Sequence, residues 1–383
     1  MILMKRILLL LSCVAAVCMT GCGSRQSRPV VADRLVYQPE YATGFVIMGS
    51  DSARSVIIRS YNPWQGADSV VSELFVRRGD EDVPEGFAGQ VLEGDASRVV
   101  TMSSTHIAML DAIGRADVVK GVSGLDYVST PYIQQRRDSV ADVGSDGSVN
   151  YELLLSLRPD LVLLYGVNGA SAMEDKLREL GVPFMYVGDY VEQSPLGKTE
   201  WVVAMAEITG NRRAGEEYVR KISCAYDSLR GKVARQVTHR PLVMVNTPYS
   251  DQWFMPSDKS CLVSLISDAG GEYIYKKNHG NASVPVGIEE AYLLASEADV
   301  WINTGQARSL ADIRRDCHRF MNIGCVQNGQ VYNDNRRSTP GGGNDVYESG
   351  AVRPDLVLRD LVGIFHSELL PDSVGFVYYQ KLK

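Results

Sequence analysis

The sequence predicts an α/β protein with two Rossmann-like lobes, each built on a mostly parallel sheet, joined by one long helix with a cleft between them. Short apolar strands alternate with helical segments over residues 98–197 and again over 231–383. Such alternation is typical of a parallel sheet covered by helices. Between the two regions, residues 198–230 place apolar side chains at helical spacing among charges, which predicts the bridging helix.

The N-terminus has the pattern of an export signal. Lys5 and Arg6 give a positive start, and residues 7–19 are almost wholly apolar. A membrane-spanning helix needs about 20 apolar residues to cross a core of about 30 Å, so this run is too short to span it. Its length is typical of the apolar region of a signal peptide.

A cysteine follows the apolar run in a setting that predicts lipid attachment. Met19-Thr20-Gly21-Cys22 resembles the bacterial lipobox, in which the cysteine is lipidated and becomes the new N-terminus. We therefore expect residues 1–21 to be a signal peptide, 22–31 a lipid-anchored tether, and the protein to lie on the periplasmic side of a bacterial membrane. Which membrane is open, and an ordinary secretory signal or an uncleaved helix remains the alternative.

Composition limits the possible partners. The formal net charge is −7, and it becomes −9 without Lys5 and Arg6. An acidic chain does not favour nucleic-acid binding, which needs a basic surface. With 45% hydrophobic residues, the chain can bury large cores, and its length predicts more than one domain. We expect a monomer.

Four cysteines follow Cys22 in the sequence, and an exported protein meets an oxidising compartment in which they can form disulfides. Only Cys317 and Cys325 are close in sequence, and spacing alone does not fix the pairing of these two with Cys224 and Cys261.

The elements of the first half follow in order. Residues 32–97 form a β-rich segment that we expect to pack on the first lobe, with strands at 45–48, 55–59 and 72–76 separated by polar turns. Ser103, Ser104 and Thr105 offer caps for a helix that reaches about residue 113. Further strands are predicted at 98–102, 118–122, 161–165 and 184–187, with helices at 151–157 and 172–180.

The second half repeats the alternation after the bridging helix, for which a break near Gly210-Asn211 is possible. Strands are predicted at 242–246, 300–303 and 331–332, and helices at 260–268, 288–297, 309–321 and 351–369.

Four stretches carry a family resemblance. They run from Arg98 to Gly114, from Asn150 to Val162, from Gly287 to Trp301, and from Gly343 to Leu358. In this order they resemble the periplasmic substrate-binding proteins of ABC importers for iron siderophores, haem and cobalamin. The resemblance implies two lobes around a ligand cleft and no enzymatic activity. It also implies delivery of an iron chelate, haem or corrinoid to an ABC permease driven by an ATPase.

The resemblance also implies how the permease is contacted. In this family one surface glutamate on each lobe meets arginines of the permease. The matching positions here are Glu152 and Glu289, although Glu290 adjoins the second one. Charges at such positions steer association and set its register. The alternative is that both are solvated acids at helix N-termini, where the helix dipole favours them.

Loops at the carboxyl ends of parallel strands are where open α/β sheets bind ligands. Aromatic side chains there would stack on a macrocycle, and an arginine would pair with carboxylates of haem or a chelate. Packing and solvated-turn roles are the alternatives for each residue. The candidates are Ser104, Thr105, Tyr127, Tyr165, Tyr249, Trp253, Thr304, Arg336 and Arg337.

Two other functions are kept as alternatives. A zinc or manganese receptor needs converging ligands, whereas the five histidines are scattered along the sequence. An exported enzyme is the second alternative, but no GxSxG motif is present and Gly341-Gly342-Gly343 lacks the lysine of a phosphate loop. No resident cofactor is predicted.

Overall fold

The structure, a computed structural model, describes residues 32–371 and 373–383. The signal peptide, Cys22 and the tether predicted over residues 1–31 lie outside the described residues. No helix in the described part of the chain is long and apolar enough to cross a membrane.

The β-rich segment is a five-stranded sheet in the order β1-β2-β3-β4-β5. Its first four strands are antiparallel neighbours and β5 runs parallel to β4. The three strands predicted in this segment from runs of β-forming residues between polar turns are present as β2, β3 and β4. The bounds are β1 Arg34–Tyr37, β2 Phe45–Gly49, β3 Val56–Tyr61, β4 Val71–Arg77 and β5 Gln90–Glu93.

The first lobe contains a parallel five-stranded sheet in the order β10-β9-β6-β7-β8. Its strands are β6 Val99–Thr101, β7 Val119–Val122, β8 Ala141–Asp142, β9 Leu161–Leu164 and β10 Phe184–Tyr186. Its helices are α1 Ser104–Ala112, α2 Pro131–Gln134, α3 Tyr151–Ser156 and α4 Glu174–Glu179. As predicted, a serine caps the first helix: the Ser103 side chain accepts a hydrogen bond from the Thr105 backbone N–H.

The prediction of one continuous helix over 198–230 is wrong, and the alternative of a break near Gly210-Asn211 is confirmed. The region contains α5 Pro195–Glu200, α6 Val202–Ile208 and the 25-residue α7 Arg212–Gln236. Gly210 ends α6 with a φ of +81°, which favours glycine. Asn211 then begins α7, and its side chain accepts a hydrogen bond from the Ala214 backbone N–H. The stiff connecting element is therefore α7.

The second lobe has a smaller parallel sheet in the order β13-β11-β15. A bridge between Trp301 and Val331 extends it towards the antiparallel pair β16–β17, and β12 pairs antiparallel with β14. Its strands are β11 Leu242–Val245, β12 Gln252–Met255, β13 Glu272–Tyr273, β14 Val284–Gly287, β15 Val300–Ile302, β16 Tyr332–Asn333 and β17 Gln380–Lys381.

Two helices of this lobe are shorter than predicted. The segment predicted at 309–321 is an α-helix only to Asp316, and that predicted at 351–369 is interrupted at Arg353 because Pro354 begins a new helix. The helices are α8 Cys261–Asp268, α9 Ile288–Glu297, α10 Leu310–Asp316, α11 Gly324–Gln327, α12 Ser349–Val352 and α13 Pro354–Phe365.

The N-terminal sheet shares a hydrophobic core with the first lobe and the connecting helices. Phe45 and Ile58 are buried in the same cluster as Val202, and the Phe45 ring centroid lies 4.7 Å from that of Trp201. The Ser60 hydroxyl donates to the Tyr186 carbonyl at 2.7 Å. The sheet is therefore packed onto the first lobe by both apolar and polar contacts.

Two buried carboxylates hold the chain between β1 and β2. Glu200 accepts hydrogen bonds from the Tyr37 hydroxyl and from the backbone N–H groups of Glu40, Tyr41 and Ala42, at 2.7–2.8 Å. Glu192 accepts from Thr43, Gly44 and the Trp201 indole. Backbone donors satisfy these carboxylates in place of a cation.

All four cysteines in the described part of the chain are free thiols: Cys224, Cys261, Cys317 and Cys325. Burial raises the pKa of both Cys317 and Cys325 to about 11.

Candidate functional site: a cleft between the lobes

A cleft of about 690 Å³ lies between the two lobes. Seven strands end at this cleft, four in the first lobe and three in the second, and a residue that follows each strand lines its surface. Met102, Ser123, Tyr165 and Asp189 follow strands of the first lobe; Asn246, Asn303 and Asp334 follow strands of the second. The carboxyl ends of the strands therefore converge on one cavity, where α/β sheets bind ligands.

Four predicted ligand contacts line this cleft. Ser104 and Thr105 begin α1 at the end of β6, Tyr165 follows β9, and Tyr127 lies on the loop after β7. The Tyr127 side chain is 59% exposed, which leaves its ring free to stack.

The prediction for Trp253 is wrong. Its ring is fully buried in the core of the second lobe, and its indole N–H donates to the Val245 carbonyl at 2.8 Å. Because β12 pairs with β14, alternate residues point inwards, so Trp253 is buried while Phe254 is exposed. The indole packs against Trp301 and Phe320 instead of a ligand.

Thr304 and Tyr249 are also absent from the lining of the cleft. Thr304 is buried behind the neighbouring Asn303, and Tyr249 is 76% exposed on a turn outside the cleft. Both predictions assumed that every residue after a strand faces the cavity, whereas only the first residue after β11 and β15 does so.

The two predicted arginines do not line the cleft either. Asp334, the residue after β16, takes the position that faces it. Arg336 is exposed, and its backbone N–H donates to the Tyr378 carbonyl. The Arg337 guanidinium pairs with Asp345 at 3.0 Å and lines a separate surface pocket.

Sequence reasoning missed several residues of the second lobe that line the cleft. The Tyr347 hydroxyl donates to Asp334 at 2.9 Å, and the Tyr379 hydroxyl donates to Asn303 at 2.8 Å. Burial raises the pKa of Asp334, while the hydrogen bond from Tyr347 partly opposes that rise. Tyr347 lies within the fourth stretch that resembles the family, Gly343 to Leu358, and that resemblance could have marked it as a candidate ligand contact.

The part of the cleft formed by the first lobe contains one carboxyl group and one ammonium group. Asp189 is buried and Lys198 is partly exposed, and both line the cavity. Burial raises the pKa of Asp189, and the Lys198 ammonium and the Thr105 hydroxyl partly oppose that rise. Lys198 gives this part of the cleft one positive group for a polar substituent of a ligand.

One segment of the second lobe reaches across to the first lobe. The Glu348 carboxylate accepts hydrogen bonds from the backbone and side chains of both Ser129 and Thr130. Asp345 accepts from the Ser129 hydroxyl at 2.8 Å, and the Thr339 hydroxyl donates to the Asp126 carbonyl at 2.8 Å. We call residues 339–349 the strap, because they join the lobes beside the cleft.

The positions matched to permease contacts lie on exposed helices of different lobes. Glu152 is in the first turn of α3 and Glu289 in the first turn of α9, and both side chains are exposed. The neighbouring Glu290 pairs with Lys277 at 2.6 Å.

A bound metal ion would need converging histidine, cysteine or carboxylate groups. No group of three or more that could hold a metal ion occurs within residues 32–371 and 373–383.

Two α/β lobes, strand ends converging on a cleft and a helical connection define a two-lobed binding protein for a small ligand. The chain belongs to the periplasmic binding protein family, whose model matches residues 99–337. This is a family of binding proteins and not of enzymes.

Relatives of the sequence include lipoproteins. An uncharacterized lipoprotein of Methanocaldococcus jannaschii is 24% identical over 367 residues, which cover 89% of this chain and 84% of the relative. A vitamin B12-binding protein of Yersinia pestis is 25% identical over 183 residues, covering 47% of this chain and 60% of the relative. The family and the lipoprotein relatives indicate a location outside the cytoplasm.

Solved structures share the fold. A periplasmic binding protein from Veillonella parvula superposes with a TM-score of 0.59 at 16% identity, covering 82% of this chain and 99% of that one. A periplasmic haem-binding protein from Pseudomonas aeruginosa gives a TM-score of 0.58 at 14% identity, covering 75% of this chain and 98% of the other. The predicted fold class, two α/β lobes with parallel sheets, is confirmed.

Proposed function

We propose that this protein is the substrate-binding lipoprotein of an ABC importer, anchored through Cys22, that captures a corrinoid or an iron chelate and delivers it to a permease. The observation that carries the proposal is the cleft of about 690 Å³ with tyrosines from both lobes at its surface. Its volume is in the range of small-molecule sites. The lipid anchor would keep the receptor close to its permease and raise the effective concentration there.

The charge of the cleft favours a corrinoid among these ligands. Lys198 is the one cationic side chain among its lining residues in the described part of the chain. Carboxylates of haem and the anionic groups of ferric chelates are best matched by arginine forks, and both predicted arginines lie elsewhere. The planar face and neutral amide side chains of cobalamin suit the tyrosines and the half-buried Asn246 and Asn303 of the lining better. The B12-binding relative supports the same choice.

Delivery requires that the permease engage both lobes. The helix α7, at 25 residues, is a stiff connection, so we expect the lobes to move little when ligand binds. Glu152 and Glu289 are the surface acids proposed to meet basic groups of the permease, one on each lobe.

Titration calorimetry of the purified protein with cyanocobalamin, haem and a ferric siderophore tests the proposal. We expect one equivalent of cyanocobalamin to bind with a Kd below about 1 µM, and haem and the siderophore to bind more weakly. Tight binding of haem or the siderophore alone would keep the transport role and overturn the choice of ligand. Failure of all three to bind would overturn the proposed function.

A further inference from the structure

The helices that carry Glu152 and Glu289 match position by position. Each glutamate is the second residue of its helix, α3 in the first lobe and α9 in the second. Three residues later, each helix exposes an apolar side chain: Leu155 is 39% and Tyr292 37% exposed. Residues three apart lie on the same face of a helix, so each lobe presents an acid beside an apolar group.

The second lobe enlarges this pair into a groove. A depression of about 510 Å³ is lined by Ile288, Glu289, Tyr292, Leu293, Arg319 and Phe320. Leu293 is 68% exposed, and the Tyr292 ring packs on Phe320 with their centroids 5.5 Å apart. An exposed apolar groove with charges at its rim is typical of a protein-binding surface.

Charge specifies what the occupant must carry. Neither Glu152 nor Glu289 makes an ion pair with any described residue, whereas Glu290 is already paired with Lys277. A basic group of a partner would therefore meet Glu289 and not Glu290. Arg319 lines the same groove, and its guanidinium can donate hydrogen bonds to an oxygen acceptor of that partner.

We propose that the permease docks through an acid–apolar pair on each lobe, in which Leu155 and the groove around Leu293 contribute as much as Glu152 and Glu289. This inference rests on the proposed function and extends it. The partner is one protein that offers a basic and an apolar side chain to each lobe. The apolar contacts supply affinity that surface charges alone do not, since charges mainly steer encounter and set register.

Replacing the exposed leucines with a polar residue of similar size tests this surface. The variant Leu155→Asn/Leu293→Asn is compared with Glu152→Ala/Glu289→Ala and with the control Leu35→Asn, which changes a 49% exposed leucine on β1. Each full-length chain replaces the wild type in its own organism. The two measurements are the initial rate of cyanocobalamin uptake by cells and the Kd of the purified protein for cyanocobalamin.

We expect the leucine double variant to lower uptake by about tenfold while its Kd stays within about twofold of the wild type. Leu35→Asn should leave both values unchanged. Normal uptake by the leucine variant, with impaired uptake by the glutamate variant, would overturn this inference and leave the proposed function standing. If deletion of the wild-type chain leaves the uptake of cyanocobalamin unchanged although the purified protein binds it tightly, the proposed delivery role and this inference fail together.

Discussion

The Glu348 carboxylate of the second lobe accepts hydrogen bonds from both the backbone N–H and the hydroxyl of Thr130 in the first lobe. Its other oxygen accepts from the backbone N–H and the hydroxyl of Ser129, at 2.7 and 2.8 Å. Burial raises the pKa of Glu348, and these donors oppose the rise. One buried side chain thus joins the strap to the first lobe without a cation.

Removing this acceptor should weaken the whole fold. In Glu348→Ala, the donors of Ser129 and Thr130 lose their partner within a buried contact, which we expect to cost about 3 kcal/mol of the free energy of unfolding. Urea unfolding monitored by circular dichroism measures the loss. The control Glu179→Ala removes an exposed glutamate paired with Lys176 and should change stability by less than about 0.5 kcal/mol. Equal effects of the two variants would show that the strap does not stabilise the lobes.

Glu200 should be needed to hold the N-terminal sheet in place. Its carboxylate accepts four hydrogen bonds from residues 37–42 and is 1% exposed. In Glu200→Gln, an amide N–H₂ replaces one oxygen and faces those donors, so we expect a loss of about 2–4 kcal/mol. Urea unfolding and limited proteolysis between β1 and β2 measure the effect. Glu217→Ala, an exposed acid on α7 that pairs with Arg213, is the matched control. A protease pattern identical to that of the wild type would contradict the prediction.

His106 should make the protein sensitive to acid. It is fully buried beneath the cleft, and desolvation lowers its pKa to about 3, with the Leu163 backbone only partly opposing that shift. Between pH 6.5 and about 3 the unfolded chain therefore binds a proton that the folded protein does not, so stability falls as the pH drops through this window. The stability lost from pH 6.5 to 4 should reach about 3 kcal/mol for this group.

The variant His106→Leu isolates that contribution. Asp189, whose Oδ1 lies 3.9 Å from His106 Nε2, is retained in both proteins and titrates in both. We expect urea midpoints measured from pH 7 to pH 4 to fall less steeply for the variant than for the wild type. Parallel pH profiles would show that His106 does not set the acid sensitivity.

Local signals predicted the fold better than the site. The apolar run of β9, Leu161–Leu164, and the Ser103 cap of α1 are encoded in adjacent residues, and both predictions were right. The helical spacing of apolar residues favoured one continuous helix over 198–230, and only the glycine at 210, whose backbone is left-handed, pointed to the alternative break near Gly210-Asn211 that the structure contains. The position of Tyr347 in the cleft depends on how the strap folds back across the lobes, which is a tertiary contact.

Trp253 shows why the side chains of a site are the hardest part to predict. A strand of four residues carries too few alternations to fix which face is buried, and a shift of one residue exchanges the two faces. The pairing of Trp253 with Val286 in β14 settles the choice, and that partner lies 33 positions further along the chain.

Substitutions in the cleft and in the core should therefore separate ligand affinity from stability. Tyr127→Ala and Tyr347→Ala each remove an exposed ring at the cleft, and we expect each to weaken cyanocobalamin binding by about tenfold. Trp253→Phe should leave that affinity within about twofold and lower the free energy of unfolding by about 2 kcal/mol. It loses the indole hydrogen bond to Val245 and part of the core packing.

Two further variants complete the comparison. Tyr249→Ala, on the turn outside the cleft, should change neither property. Tyr347→Phe keeps the ring and removes the hydroxyl that donates to Asp334, so it separates stacking from the hydrogen bond. Calorimetry with cyanocobalamin and urea unfolding give the two readouts for all five proteins. Weaker binding by Trp253→Phe than by Tyr127→Ala would contradict the assignment of the cleft. Trp253 is buried in the core of the second lobe, so it could contact the ligand only if the ligand bound somewhere other than this cleft.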